Sequence, residues 1–363
     1  MKLRKRIVPA ALALSVLSAG LVTFSEPLNA DAAAAGQKVV AAVNNEQVAR
    51  ITKVKPINTM TLQVTFTQPL AAADIDPNNL EAIKKDFNFN GNLEIVNVPR
   101  LMTGSTSTYI VPVTFQEDDF IYRLSYKEQR NRVFEGTDEK VLVRNVAQVT
   151  DDTFTLESFQ EDGVVDYANI IEAYRGGRGD LAFSIDRQNR DASGKRFDVI
   201  SSLRDRYVIV KTSEGEEFVA NYVPFTQAAD GKQAPQFRLP AGQTLKQGVT
   251  YRVYSQWAEI DVKSFVANKK APFTLQSANA IDRQSFELQL TNDPQSDLLA
   301  GRSVELRGND GSTLQAQYRY SSRKGAVGIF DIANGGTLKA GVSYTVMPLN
   351  NWATAKNVVL QGK

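Results

Sequence analysis

Residues 244–251 (TLKQGVTY) recur as residues 337–344 (TLKAGVSY), 93 positions further along the chain. A second match, between residues 206–215 (RYVIVKTSEG) and 302–311 (RSVELRGNDG), has an offset of 96 positions. Two separate matches at nearly the same spacing indicate two homologous units of about 95 residues. That is the size of one β-sandwich domain.

Alternating apolar side chains extend outward from these repeats through most of the chain. Residues 61–66 (TLQVTF), 153–156 (TFTL) and 285–290 (SFELQL) have the two-residue period of a half-buried strand. They also resemble one another, which predicts the same early strand in three units. Residues 120–126 (FIYRLSY) similarly resemble 248–254 (GVTYRVY). Short helices are predicted only at residues 79–87 and 167–174.

We therefore predict an all-β protein of about three tandem β-sandwich domains. From Phe154 to Arg206 is 52 residues, whereas the corresponding distance from Phe286 to Arg302 is 16 residues, so the middle unit carries an insertion. We expect that insertion to contact something that its neighbours do not. The predicted parts are a signal peptide (1–32), an arm or linker (33–47), a first domain (48–143), a second domain (144–263) with its insertion (160–199), and a third domain (264–363).

The first residues have the order of a secretory signal peptide. Basic residues at positions 2–6 precede an apolar stretch at 10–22 and the small residues 30–35 (ADAAAA). The apolar stretch is shorter than the roughly 20 residues that a membrane-spanning helix needs. Cleavage after Ala32 removes four basic and two acidic residues from a chain of formal charge +2, which leaves a neutral protein.

The composition excludes several classes of function. The chain has no histidine and no cysteine, which removes Ser-His-Asp and Cys-His catalysis, imidazole metal sites, disulfides and a lipoprotein anchor. A neutral chain without a basic face is not expected to bind nucleic acid. Carboxylate-pair chemistry and oxygen-ligand cations such as calcium stay open.

Residues 51–80 (ITKVKPINTMTLQVTFTQPLAAADIDPNNL) and the later strand 120–126 resemble the bacterial immunoglobulin-like domains of surface-layer and cell-wall proteins of Gram-positive bacteria. Leu245, Gly248 and Tyr251 match the L-x-x-G-x-x-Y element of those domains, and residues 338–344 repeat it. The resemblance implies tandem immunoglobulin-like sandwiches. Surface-layer-homology modules, a sorting signal and a lipobox are not recognisable, so we expect retention at the surface by partners or by self-assembly.

The resemblance also implies a function. We expect a secreted, non-enzymatic structural protein of the cell surface of a Gram-positive bacterium, which self-assembles into a layer or fibre. The alternative is a secreted module that binds carbohydrate or cell wall. The expected partners are further copies of the chain and cell-wall polymer, without a membrane span after signal cleavage. Residues 37–43 (QKVVAAV) are a candidate strand donor for self-association, and a leader remnant is equally compatible with them.

No catalytic or cofactor-binding residue is predicted, but several motifs need an explanation. Residues 178–180 (RGD) lie among glycines that favour a turn. Residues 321–324 (SSRK) fit S-x-x-K without the accompanying S-D-N and K-T-G motifs. Trp257 and Trp352 could stack on sugars, although their repeated position favours packing in the core. Calcium is a candidate ligand for two groups of oxygen-bearing side chains: Asp74, Asp76, Asn78 and Asn79, and Glu117, Asp118 and Asp119.

Overall fold

The computed structural model describes residues 48–156, 163–167, 185–224, 234–295, 297 and 299–363. Residues Val48–Lys363 form one compact unit. The predicted signal peptide, the arm, the RGD tripeptide and residues 168–174 of the second predicted helix lie outside the described residues.

The first sandwich consists of a four-stranded and a three-stranded sheet. The strands follow the order β1-β2-β5-β4 in one sheet and β3-β6-β7 in the other, and all neighbours are antiparallel. The helix predicted at residues 79–87 is confirmed as α1. The elements are β1 (Ile51–Asn58), β2 (Thr61–Phe66), α1 (Leu80–Asp86), β3 (Phe87–Phe89), β4 (Arg100–Leu101), β5 (Thr108–Pro112), β6 (Ile121–Tyr126) and β7 (Arg132–Glu135).

The second sandwich has eight strands in the order β16-β8-β9-β14-β13-β12-β15-β17. Two further strands, β10 and β11, form a small parallel pair before β12. The elements are β8 (Val141–Gln148), β9 (Thr153–Leu156), β10 (Val164–Asp166), β11 (Asp198–Ile200), β12 (Tyr207–Thr212), β13 (Glu217–Tyr222), β14 (Gln236–Arg238), β15 (Thr250–Tyr254), β16 (Ala258–Val262) and β17 (Ser264–Val266).

The third sandwich repeats this order strand for strand, as β24-β18-β19-β22-β21-β20-β23-β25. The sequence repeat at residues 206–215 and 302–311 places β12 and β20 in corresponding positions. The elements are β18 (Phe273–Ala280), β19 (Ser285–Leu290), β20 (Ser303–Gly308), β21 (Thr313–Tyr318), β22 (Val327–Ile332), β23 (Ser343–Pro348), β24 (Ala353–Ala355) and β25 (Val359–Gln361).

The first strand of both repeats changes partner along its length. The start of β8 pairs in parallel with β16, and its end pairs antiparallel with β9. Because β17 follows β16 directly and pairs with β15, the strand order curls back on itself into a sandwich. β18 and β24 form the equivalent parallel pair. The all-β, immunoglobulin-like fold class predicted from the sequence is confirmed.

Each sandwich has its own apolar core. The clusters centre on Leu62 and Tyr109 in the first, Phe237 and Trp257 in the second, and Phe286 in the third. The predicted domain boundaries stay a prediction. β8 crosses the predicted boundary after residue 143. β17 begins after the predicted boundary at residue 263, although it pairs with β15 of the second sandwich.

The described part of the insertion packs against the first sandwich. β10 and β11 contribute Val165 and Val199 to a cluster that also contains Tyr167 and Ile110 of β5. The Tyr167 hydroxyl accepts a hydrogen bond of 2.6 Å from the backbone N–H of Thr103. This part of the insertion therefore binds a neighbouring sandwich of the same chain. Within the described ranges, no helix is long and apolar enough to cross a membrane.

Candidate functional site at the junctions between sandwiches

The turn between the first two strands of each sandwich is held by the same backbone contacts. We call it the hairpin tip, and its last residue is Met60, Asp152 or Gln284 in the first, second or third sandwich. In each case the carbonyl of that residue accepts a hydrogen bond from a backbone N–H at the end of the strand that pairs with the second strand, or directly after that end. These bonds are Val113 N to Met60 O at 3.2 Å, Leu239 N to Asp152 O at 2.9 Å, and Ile332 N to Gln284 O at 2.8 Å.

The hairpin tip of the first sandwich is buried in the second. Met60 has no exposed surface and belongs to the apolar cluster of the middle core. Its carbonyl accepts a 2.9 Å bond from the Ser201 hydroxyl, and the Asn58 amide donates a 2.7 Å bond to the carbonyl of Val199. Residues 199–206, just before β12, therefore form the receiving segment of this junction.

A buried arginine at the end of that segment completes the first junction. Arg206 is only 4% exposed, and its guanidinium donates a hydrogen bond to the carbonyl of Val113 in the first sandwich. The guanidinium carbon also lies 5.1 Å from the ring centroid of Phe115. Burial lowers the pKa of Arg206 to about 10, which leaves it charged at neutral pH.

The second junction uses the equivalent positions with different chemistry. The hairpin tip of the second sandwich presents Asp152, which is 8% exposed. Arg302, just before β20, donates two hydrogen bonds of 2.5 and 2.9 Å to this carboxylate. The same guanidinium donates a 2.6 Å bond to Asp297, so one arginine binds two buried carboxylates.

A second arginine balances the charge of this cluster. Arg238 at the end of β14 lies 3.8 Å from both Asp152 and Asp297, and donates a 2.8 Å bond to the carbonyl of Ala300. Burial by itself would raise the pKa of Asp152, but the hydrogen bonds and charge of Arg302 hold it well below its usual range. The two guanidinium groups and the two carboxyl groups together crosslink the second and third sandwiches.

A basic residue lies at or near the start of the corresponding strand in all three sandwiches. β12 and β20 each pair with the strand that carries the repeated tyrosine, Tyr251 or Tyr344. In the first sandwich β3 pairs with β6, which carries Tyr122. Lys85 of α1 lies two residues before β3, whereas Arg206 and Arg302 lie directly before β12 and β20. Lys85 is exposed, whereas both arginines are buried.

The repeated tyrosines are structural. Each hydroxyl accepts a hydrogen bond from a backbone N–H five residues earlier, the geometry of the tyrosine corner of sandwich folds. The bonds are Glu117 N to Tyr122 at 3.0 Å, Lys246 N to Tyr251 at 2.8 Å and Lys339 N to Tyr344 at 3.1 Å.

The two tryptophans lie in the cores, as their repeated position predicted. Trp257 is fully buried and Trp352 is 2% exposed, so neither ring is available to stack on a sugar. Each indole N–H donates to the carbonyl that follows a junction arginine, Tyr207 O at 3.3 Å and Ser303 O at 2.9 Å. The tryptophans therefore support the backbone that holds Arg206 and Arg302 in place.

The other sequence-predicted candidates do not converge on a reactive centre. In the S-x-x-K segment, Ser322 donates 2.6 Å to the carbonyl of Arg319, and Arg323 binds Asp293 at 2.7 Å. Asp74 accepts from Tyr126 at 2.5 Å and from Lys127 at 2.7 Å. Among the described residues, no group of three or more acidic side chains is arranged to hold a metal ion.

Two concave regions accompany these contacts. A small cavity of about 150 Å³ lies beside the second junction, between Asp152, Arg302 and Trp352. A larger open groove of about 600 Å³ runs along β16 and is lined by Tyr254 and Lys263 among others. Tyr254 is 37% exposed, and the ammonium nitrogens of Lys211 and Lys263 each lie 5.8 Å from its ring centroid.

No protein-family model and no curated protein matches the sequence. Among solved structures, the S-layer protein SbsC is similar at 13% identity and a TM-score of 0.18, over 86% of this chain and 54% of that chain. The alpha-2-macroglobulin of Escherichia coli is similar at 9% identity and a TM-score of 0.23, over 84% and 97%. L,D-transpeptidase 3 of Mycobacterium tuberculosis is similar at 12% identity and a TM-score of 0.18, over 61% and 91%. This chain spans about half the length of the S-layer structure, and TM-scores this low assign neither a family nor a function.

Sequence reasoning did not find the junctions. Asp152 and Arg302 are 150 positions apart, and Met60 reads as part of an ordinary turn. One signal was available, since both copies of the second repeat begin with an arginine, Arg206 and Arg302.

Proposed function

We propose that this protein is a secreted, non-enzymatic structural protein of the bacterial cell surface that assembles into a layer or fibre. The observation that carries the proposal is the pair of junctions, at which the hairpin tip of one sandwich is buried against the receiving segment of the next. Relative motion is the ordinary state of linked domains unless their interface is extensive and well packed. Buried contacts at both junctions favour a chain of fixed shape, which a periodic assembly requires.

The sequence supports the same proposal. Residues 1–32 have the order of a signal peptide, and the chain offers neither histidine nor cysteine for catalysis. Two deeply buried carboxylates, Asp152 and Asp297, both bind the buried Arg302. Their charges are used to hold two sandwiches together, and this arrangement supports a structural role better than a catalytic one.

A second candidate function is binding of a cell-wall polymer, and the groove along β16 favours it. The exposed Tyr254 ring offers a flat apolar surface in this groove, and charged side chains of both signs, among them Glu259 and Lys263, line it. Sugar rings stack on such surfaces, and their hydroxyl groups hydrogen-bond to carboxylate and ammonium side chains. This function is compatible with a surface layer held on the wall by the same protein.

The test expresses the full chain in a Gram-positive host and follows the protein found outside the cells. We expect secretion, and sheets or fibres in electron micrographs of the purified protein, with or without calcium. Protein that stays in the cytoplasm, or that stays monomeric by light scattering at every concentration, would refute the proposed function. Sedimentation with purified cell walls tests the second candidate function. Loss of wall binding in Tyr254→Ala, together with normal binding in Tyr320→Ala at an equally exposed position, would support it.

A further inference from the structure

The hairpin tip is covered by a neighbouring sandwich in two cases and exposed in the third. Met60 and Asp152 are buried by the sandwich that follows each of them. The equivalent turn of the third sandwich, residues 281–284, is exposed at all four positions, and Ile281 alone has 41% of its surface accessible. Its contacts come from its own sandwich, such as the 2.8 Å bond from Lys363 Nζ to the Ile281 carbonyl. In the described part of the chain, this turn thus presents a surface that its two counterparts use for docking.

The exposed turn carries a carboxylate, Asp282, beside the exposed Arg283. The Asp282 carboxylate accepts hydrogen bonds from the backbone N–H of Gln284 at 2.8 Å and from the Ser285 hydroxyl at 3.0 Å. These bonds orient the carboxylate on the turn, two positions before the residue that corresponds to Asp152. The third hairpin tip thus presents a carboxylate, as the second does, although at a different position of the turn.

The matching receiving position is exposed in the first sandwich. Lys85 lies near the end of α1, in the segment before β3 that corresponds to the segments carrying Arg206 and Arg302 before β12 and β20. The receiving segments of the second and third sandwiches are already occupied within the chain, at Arg206 and Arg302. Among these three receiving segments, the α1 segment with Lys85 is not covered by a hairpin tip in the described part of the chain.

We infer that the hairpin tip of the third sandwich docks on the α1 segment of a second copy of this chain, with Asp282 facing Lys85. This inference rests on the proposed function and specifies the surfaces through which the copies meet. The contact joins two different surfaces, so it is heterologous and leaves one free tip and one free receiving segment after every addition. Such contacts propagate into an open filament instead of closing into a dimer.

The experiment exchanges the two charges in the secreted full-length protein. Asp282→Lys or Lys85→Asp alone places like charges opposite each other, and we expect each to weaken association about tenfold or more in sedimentation velocity. In an equimolar mixture, the tip of the Asp282→Lys variant faces the α1 segment of the Lys85→Asp variant, so opposite charges meet. The tip of the Lys85→Asp variant still carries Asp282, and it faces the unchanged Lys85 of the other variant. We expect the mixture to recover association to within about threefold of wild type. Exposed Lys55→Asp and Glu287→Lys serve as matched controls.

The outcomes separate this inference from the proposed function. Assembly of the wild type that neither single variant weakens beyond its control would overturn the docking contact while the structural role stands. Weakening without recovery in the mixture would also overturn it, because the two charges would then act independently. A wild-type protein that never associates would defeat both proposals.

Discussion

Replacing Asp152 by asparagine tests whether the second junction holds the sandwiches in a fixed relation. The substitution keeps the size of the side chain but removes a charge that is 8% exposed and bound by Arg302 at 2.5 and 2.9 Å. It leaves Arg302 and Arg238 sharing the single carboxylate of Asp297. Removing one partner of a buried ion pair costs about 3–5 kcal/mol, because the remaining charge stays buried without compensation.

The cost should appear mainly as undocking of the third sandwich. Asparagine still accepts one hydrogen bond, so we take the lower value of about 3 kcal/mol, which shifts an equilibrium by a factor of roughly 100. The linker between the sandwiches contains Lys269 and Lys270, and Gln148 binds the backbone of the preceding Asn268. We therefore expect faster trypsin cleavage at this linker, and a calorimetric transition that splits in two.

Two further variants make the result interpretable. Asp310→Asn removes an exposed carboxylate that binds Lys339 at 2.9 Å, and it should leave cleavage and unfolding unchanged. The double variant Asp152→Leu with Arg302→Met replaces the ion pair by apolar side chains and should recover much of the lost stability. A loss below about 1 kcal/mol in Asp152→Asn would show that the junction does not depend on this ion pair.

Three other predictions address the remaining contacts. Met60→Ala leaves a cavity in the middle core, so it should lower the free energy of unfolding by about 2–5 kcal/mol in urea titrations. If the loss were no larger than that of Val133→Ala, at an exposed position, the burial of Met60 would be contradicted. Tyr251→Phe deprives the Lys246 N–H of its acceptor and should cost about 1 kcal/mol by the same titration, with no change in the far-ultraviolet spectrum. The folded pKa of Asp152 lies below its unfolded value of about 3.9, so its contribution is complete above about pH 4 and is lost as the pH falls through the folded pKa. The urea midpoint of the wild type should therefore fall more steeply below about pH 4 than that of Asp152→Asn, and parallel curves would refute this assignment.

Local sequence patterns are sufficient to predict the positions of these strands. The segments 61–66, 153–156 and 285–290 were predicted as one strand in three units, and they coincide with β2, β9 and β19. Alternation determines which face of a strand is buried, and a repeat determines which strands correspond, so both are readable without tertiary information. The burial of Trp257 and Trp352 was predictable for the same reason.

The junctions depend on information that local patterns do not contain. A hairpin turn is normally polar and exposed, so nothing in residues 58–61 distinguishes a turn that is buried in another core from an ordinary one. The pairing of Asp152 with Arg302 depends on how two sandwiches are placed in space, and a charged residue beside a strand is usually solvated. Only comparison of corresponding segments across the three sandwiches connects Lys85, Arg206 and Arg302.

The parallel pairing of β8 with β16, and of β18 with β24, determines how these sandwiches respond to tension. In each case the first strand of a sandwich lies beside one of its last strands and runs in the same direction. Pulling the two ends of the chain apart then slides one strand along the other, so the hydrogen bonds between them are strained together in shear instead of opening one after another. A layer exposed to turgor or flow would transmit force along the chain through this strand pair in each repeat.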